Sequence, residues 1–236
     1  MRAGAVVVAA GAGRRMQRAE NKVFLRIGGT PVLLHSLRVF AAHPAVARIV
    51  VVARAGEEER VRALAQDLAP AKPLAVVTGG AERQDSVYAG LCALADCDVV
   101  LVHDAARPFV RPQHVDRLLA AVQEAGAACL GVPVKDTVKR VNADGTIAET
   151  PPRSALWLAQ TPQAFRRALL LAAHEAARAD GVVATDDAAL VERLGHPVRM
   201  VMGDYDNVKM TTPEDVAVAE ALLRWREGKD AYRTRL

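Results

Sequence analysis

Ala3-Gly4-Ala5-Val6-Val7-Val8-Ala9-Ala10-Gly11-Ala12-Gly13-Arg14-Arg15-Met16 decides how this chain folds. An apolar run over 3–9 empties into a glycine-rich loop that carries two arginines and leads on to Asn21-Lys22. A short apolar run without polar alternation reads as a strand buried on both faces. Glycines let backbone N–H groups approach an anion closely, and neighbouring cations add charge. The stretch therefore reads as a buried strand whose carboxyl end opens on a phosphate-bearing guest, in the first instance a nucleoside triphosphate.

Several glycine loops are built from such parts. A Walker loop needs GxxxxGK[ST], which is absent here. A dinucleotide loop needs a third glycine, and Met16 stands where GxGxxG would end. That fold also wants an acid near the end of its second strand for the ribose, where this chain has Ala53-Arg54-Ala55-Gly56.

Outward from the loop, strand and helix signals alternate. Apolar runs at 49–52, 74–77, 99–102, 127–132 and 198–202 read as further strands. Helical periodicity covers 31–42, 57–68, 82–94, 112–124 and 165–179. Thr185-Asp186-Asp187 opens another helix that stops at Gly195, and Thr212-Pro213 starts a last one running to about Glu227. Short apolar strands alternating with helices predict an α/β, three-layer α/β/α Rossmann-like fold with a mostly parallel twisted sheet. Ligands in such sheets bind at the carboxyl ends of the strands. Gly11, Gly80 and Asp104 all fall at such ends and are expected to meet in one crevice. The segments 135–141 and 146–150 flank Asn142-Ala143-Asp144-Gly145 and read as a polar β-hairpin. It has no place in a parallel core, so it is expected to project as an arm, over about 134–155. The chain then counts as one domain, 1–236, with that arm.

Composition narrows the function classes. The chain has 236 residues, 51% apolar and 25% charged, as an ordinary globular protein does, and only 4% aromatic, so Ala, Val and Leu fill most of the core. A net charge of +4 without aromatic-interleaved basic clusters points to a small anionic substrate rather than nucleic acid. Cys92, Cys97 and Cys129 form no CxxC pair, and are read as buried small hydrophobes in a reducing compartment rather than a disulfide framework or zinc site. No apolar run reaches about 20 residues, so no membrane span is expected. The amino end lacks a cleavable-signal pattern, and a cytoplasmic enzyme is the expectation.

The loop with Arg14-Arg15-Met16 and Lys22 resembles that of nucleotidyltransferases acting on sugar phosphates. His103-Asp104-Ala105-Ala106-Arg107-Pro108-Phe109, Ala159-Gln160-Thr161-Pro162-Gln163-Ala164-Phe165 and Asp206-Asn207-Val208-Lys209-Met210-Thr211 follow in matching order and spacing. With them the chain, from about residue 3 to 224, closely resembles the 2-C-methyl-D-erythritol 4-phosphate cytidylyltransferases of the non-mevalonate isoprenoid pathway. The resemblance implies that CTP and a methylerythritol phosphate are joined and pyrophosphate is released. Arg15 and Lys22 then contact the triphosphate and Lys209 the α-phosphate, as the catalytic cations. Lys209 also lies just before the capped helix at Thr212, whose amino end favours anions.

The same resemblance assigns CTP to the backbone of Ala9 and Ala10, to Gly11 and Gly13, to the Gly79-Gly80 turn and Ser86, and to Asp104, Ala105 and Thr161. Ser86 also fits a solvated helix residue, and His103 a satisfied structural histidine. Ala81 departs from the family, which often has an acid or polar residue there, so base contacts rest on backbone. Asp104, Arg107, Thr185 and Asp186 match positions for the polyol phosphate, and Thr137 and Arg153 bind it from a neighbouring subunit. The implied assembly is a homodimer through the arm, with no nucleic acid or membrane as partner. Magnesium is implied as cofactor, held mainly by the CTP phosphates with no protein ligand set of its own and Asp104 at most nearby. Two alternatives stay open: a ribitol or other pentitol 5-phosphate cytidylyltransferase, and a non-catalytic nucleotide-binding module. Arg153-Ser154-Ala155-Leu156-Trp157 favours methylerythritol over the first. The three cations Arg15, Lys22 and Lys209 argue against the second.

Overall fold

The computed structural model describes residues 1–11, 21–66, 68 and 72–233, with backbone alone from 229 on. Gly13, Arg14, Arg15 and Met16 lie outside the described residues. In chain order the elements are β1 (Ala3–Val8), β2 (Arg26–Ile27), β3 (Thr30–Pro31), α1 (Val32–Ala42), β4 (Val46–Ala53), α2 (Glu58–Gln66), β5 (Leu74–Thr78), α3 (Arg83–Cys92) and β6 (Val99–Asp104). There follow α4 (Pro112–Ala125), β7 (Ala127–Pro133), β8 (Arg140–Val141), β9 (Ile147–Glu149), β10 (Trp157–Arg166), α5 (Arg167–Ala179), α6 (Asp187–Arg193), β11 (Arg199–Met202) and α7 (Glu214–Arg233).

A seven-stranded sheet runs β11-β7-β10-β6-β1-β4-β5. Neighbours are parallel except where β10 pairs with β6 and β7. Successive residues of a strand face opposite sides. In β1, Ala3, Ala5 and Val7 therefore pack with Leu33, Leu37 and Phe40 of α1 and Leu118 of α4. Val6 joins Val87 and Leu91 of α3, Leu170 of α5 and Val191 of α6 on the other side. These two apolar clusters are the two interfaces of the three-layer α/β/α fold. A third, smaller cluster seats α7 through Ala219 on Ile27, Val32, Phe109 and Met210.

Four expectations need correction. The stretch 157–166 is a ten-residue antiparallel strand, whereas the sequence pattern opens a helix at Phe165. Pro162 speaks against a central strand because it has no N–H for the ladder. The structure places it inside a register break between Ala159 and Gln163, where no ladder bond is required. The hairpin strands are also shorter than expected, reduced to β8 and β9 with Arg140 opposite Glu149. Residues 135–150 are exposed throughout, so little outside the hairpin holds the flanking segments extended. Helix α7 continues past Glu227 to Arg233, and Gly228, which costs a helix about 1 kcal/mol relative to Ala, does not stop it. Finally, Cys97 and Cys129 are buried but Cys92 is exposed.

Candidate active site

The sheet order reverses at β1, with β4 and β5 on one side and β6 on the other. A crevice forms outside the carboxyl ends of strands at such a switch. Val8 sits opposite both Val52 and Asp104, so the loops after β1 and β6 leave the sheet at the same level. Gly79 lets the turn after β5 close on the loop after β1. A Cβ there would lie 2.6 Å from Ala10 Cβ and 2.7 Å from Ser86 Oγ. The result is a cleft of about 420 Å³ into which Gly11, Gly80 and Asp104 converge as expected. Ala9, Ala10, Lys22, Ser86 and Lys209 line it too. A smaller hollow of about 210 Å³ adjoins it and takes in Arg107, Thr161, Thr185 and Asp186. Arg83, Asp104 and Lys209 line both and form the wall between them.

Hydrogen bonds fix the cleft floor. Ala9 donates its N–H to the Val52 carbonyl (2.8 Å), and its own carbonyl accepts from Asn21 Nδ2 (3.0 Å). Asn21 Nδ2 also donates to Glu57 Oε2 (2.7 Å), and Asn21 opens the 3-10 turn that carries Lys22. Ser86 is buried, not solvated: its Oγ donates to the Glu82 carbonyl (3.1 Å) and accepts the Gly80 N–H (3.2 Å). Ala105 is buried, lines neither hollow, and donates its N–H to the Val8 carbonyl (3.0 Å).

Asp104 ends β6, where its carboxylate has two cations. Oδ2 accepts from Lys209 Nζ (2.7 Å) and Oδ1 from Arg83 Nε (3.2 Å). Burial alone pushes the Asp104 pKa up, but Arg83 and Lys209 outweigh it and hold the carboxyl well below the usual range. His103 beneath it is fully buried, and burial pushes its pKa down to about 4. The Arg107 carbonyl can only accept, so His103 Nε2 carries the proton it donates there (3.1 Å). Nδ1 then accepts from the Thr161 hydroxyl (3.2 Å), whose oxygen accepts the Asp104 N–H (3.0 Å). This neutral imidazole is a structural pin, as the sequence implied.

Lys209 arrives from far down the chain because its loop is tied to the same place. The buried Asn207 donates through Nδ2 to the Thr161 carbonyl (3.0 Å) and to Gln160 Oε1 (3.2 Å). Arg107 Nη1 donates to the Asn207 carbonyl (2.8 Å), and Met210 donates its N–H to the Ala106 carbonyl (2.9 Å). Asp186 caps α6, its Oδ1 accepting the Ala189 N–H (3.0 Å) while Oδ2 accepts from Gln163 Nε2 (2.8 Å). Thr137 and Arg153 are not brought to either hollow: both are exposed on the arm, where Arg153 Nη1 donates to the Lys135 carbonyl (2.9 Å).

Asn21, Arg83 and Asp187 have no role in the sequence reading. Arg83 sits in Glu82-Arg83-Gln84-Asp85, a run that looks like any solvated helix start. Only the preceding glycine pair signals that this first turn faces the cleft. Asp187 reads from sequence as an ordinary first-turn acid, yet it is 1% exposed and ion-paired with Arg83 Nη1 (2.7 Å). Among the described residues no three His, Cys, Asp or Glu side chains gather to hold a metal, and no helix is long and apolar enough to cross a membrane.

Comparison with known proteins agrees with this geometry. The family model of 2-C-methyl-D-erythritol 4-phosphate cytidylyltransferase matches residues 3–225. A protein of that name from Bacillus velezensis is 50% identical over 225 residues, covering 94% of this chain and 96% of that one. The crystal structure of 4-diphosphocytidyl-2C-methyl-D-erythritol synthase from Anaerococcus prevotii superposes with a TM-score of 0.84 at 31% identity, over 94% of this chain and 98% of that one. That of the cytidylyltransferase from Thermus thermophilus gives 0.75 at 38% identity, over 93% and 98%. A match across the whole sheet, the switch-point cleft and the Lys209 loop places this chain in the 2-C-methyl-D-erythritol 4-phosphate cytidylyltransferase family.

Proposed function

We infer that the larger cleft binds CTP, that the adjoining hollow binds 2-C-methyl-D-erythritol 4-phosphate, and that the chain transfers the cytidylyl group from one to the other. One observation carries this: Arg83, Asp104 and Lys209 are the common wall of two hollows, so groups bound in each meet at a cation. A phosphate oxygen of the polyol attacks the α-phosphorus in line. The new P–O bond forms as the bond to the bridging oxygen breaks, and pyrophosphate leaves with the electron pair. The nucleophile is already an anion, so no general base is required. What must be overcome is repulsion between two anions, which fixed cations and positioning relieve. Lys209 serves the α-phosphate, Lys22 the triphosphate, and Arg107, Thr185 and Asp186 hold the polyol phosphate. Arg15 completes the triphosphate contacts. The cytosine rests on backbone of the Ala9–Ala10 and Gly79–Gly80 segments. Because the Ala9 N–H and carbonyl already have partners and the Gly80 N–H is given to Ser86 Oγ, Ala10 and the Gly80 carbonyl carry most of that contact.

Magnesium fits as a guest of the nucleotide. Both oxygens of Asp104 are hydrogen-bonded, so the protein offers little to a cation that keeps several waters and takes phosphate oxygens. When bound it supplies charge neutralisation on the phosphates. Thr137 and Arg153 act in a second subunit's hollow, which makes the working form a cytoplasmic homodimer joined through the arm.

The test is pyrophosphate release from CTP with methylerythritol phosphate or ribitol phosphate as acceptor. Release with the first is expected. Release with ribitol phosphate alone would make this a pentitol-phosphate enzyme, and none with either would leave a nucleotide-binding module.

A further inference from the structure

Five side chains alternate through the wall between the two hollows and into the core. His174 Nε2 meets Asp187 Oδ1 at 3.1 Å, Asp187 Oδ2 meets Arg83 Nη1 at 2.7 Å, Arg83 Nε meets Asp104 Oδ1 at 3.2 Å, and Asp104 Oδ2 meets Lys209 Nζ at 2.7 Å. The inner end of the row is the more buried. The His174 and Asp187 side chains are at 0% and 1%, Asp104 at 11%, Arg83 at 27% and Lys209 at 36%. Asp187 lines neither hollow, so it acts on a ligand only through Arg83.

Lys209 thus has two claims on it. In this structure it pairs with Asp104, and in the transfer it has to serve a phosphate. Withdrawing the only cation from a buried carboxylate is strongly unfavourable. Asp104 has a second one. Arg83 is fixed to the other oxygen and is itself anchored by Asp187, so Asp104 stays compensated when Lys209 turns away. We propose that Arg83 is a positioning residue for the transfer: by holding Asp104 from the side opposite Lys209, it frees Lys209 to leave that carboxylate and bind the reacting phosphate. Without Arg83, Lys209 remains bound to Asp104 and the phosphate meets a spent cation. The charges of Asp104 and Asp187 hold the Arg83 guanidinium above its ordinary pKa despite burial, which keeps it fully charged for this task.

This rests on the assignment of the larger cleft to CTP, and the experiment separates the two. CTP affinity is measured by calorimetry for the wild type, Arg83→Gln, Lys209→Ala and the double variant, with a thermal midpoint for each. Arg83→Gln is expected to weaken CTP about ten-fold in the wild-type background and less than about two-fold once Lys209 is gone, because residues acting through one group are non-additive. An equal loss in both backgrounds overturns the proposal, since Arg83 would then act on the ligand or the fold directly. So does no loss in the wild-type background. If Arg83→Gln does not fold, Asp187→Asn carries the same cycle with the same expectation and the same contrary result. A wild type that fails to bind CTP removes the functional assignment and the proposal with it. Binding with additive losses removes the proposal alone.

Discussion

Two ion pairs of nearly equal length mark the two ends of this molecule's chemistry. Lys209 meets Asp104 at 2.7 Å in the wall between the hollows, and Arg140 meets Glu149 at 2.6 Å on the arm. The side chains of the first are 36% and 11% exposed, those of the second 68% and 48%. Distance does not rank them; surroundings do. An exposed pair is screened by water and contributes about 0–1 kcal/mol. A carboxylate taken out of water depends on its cations, and those cations act in a medium that water screens poorly. On the proposed function the wall therefore holds charge in reserve for a substrate, while the arm pair only joins the two strands of a short hairpin.

That contrast can be broken from either end. The largest effect is expected at Lys209. Lys209→Ala should lower kcat by roughly 10²–10³, the scale of losing one fixed transition-state donor, with an unchanged circular dichroism spectrum. Near-normal turnover would deprive the wall of its role. A middle effect is expected beneath the wall. His103 titrates at about 4 in the fold against 6.5 free, because burial disfavours the imidazolium. The unfolded chain therefore binds more protons between those values, and stability rises with pH through that window and is complete above it. Urea unfolding should show the wild type losing about 2 kcal/mol from this group between pH 7 and pH 5. His103→Asn should lack that share, and equal losses in the two proteins would mean that His103 is not held neutral. The smallest effect belongs to the arm: Glu149→Gln should change folding stability by less than about 1 kcal/mol. A larger loss in urea would mean that the hairpin is packed against something.

How much of this was legible in the sequence follows the same division. The half around β1, β4, β5 and β6 was readable because each strand is a short apolar run and each helix has one apolar face. The convergence of Gly11, Gly80 and Asp104 followed from parallel strands alone. The antiparallel β10 was hidden because Pro162 breaks its pattern and the register break that absorbs Pro162 is a tertiary feature. The arm was overdrawn because polar alternation looks alike whether or not a partner strand continues. Arg83 and Asp187 were missed for a different reason. A charged residue in a helix's first turn carries no local sign of burial, and only the packing of α3 against α5 and α6 turns it inward. Lys209 and Arg107 were found by motif, but what holds them, Asn207 and the Thr161 carbonyl, was visible only in three dimensions.

Thr137 and Arg153 leave the sharpest question, since one chain does not carry them to its own hollows. On the proposed function the wall performs the transfer and the exposed arm completes it in a second subunit. The decisive assay mixes inactive Arg153→Ala with inactive Lys209→Ala and measures pyrophosphate release. With free exchange, half of the dimers are mixed and each mixed dimer has one intact site, so recovery to about a quarter of wild-type activity is expected. No recovery, with subunit exchange shown independently, would contradict it.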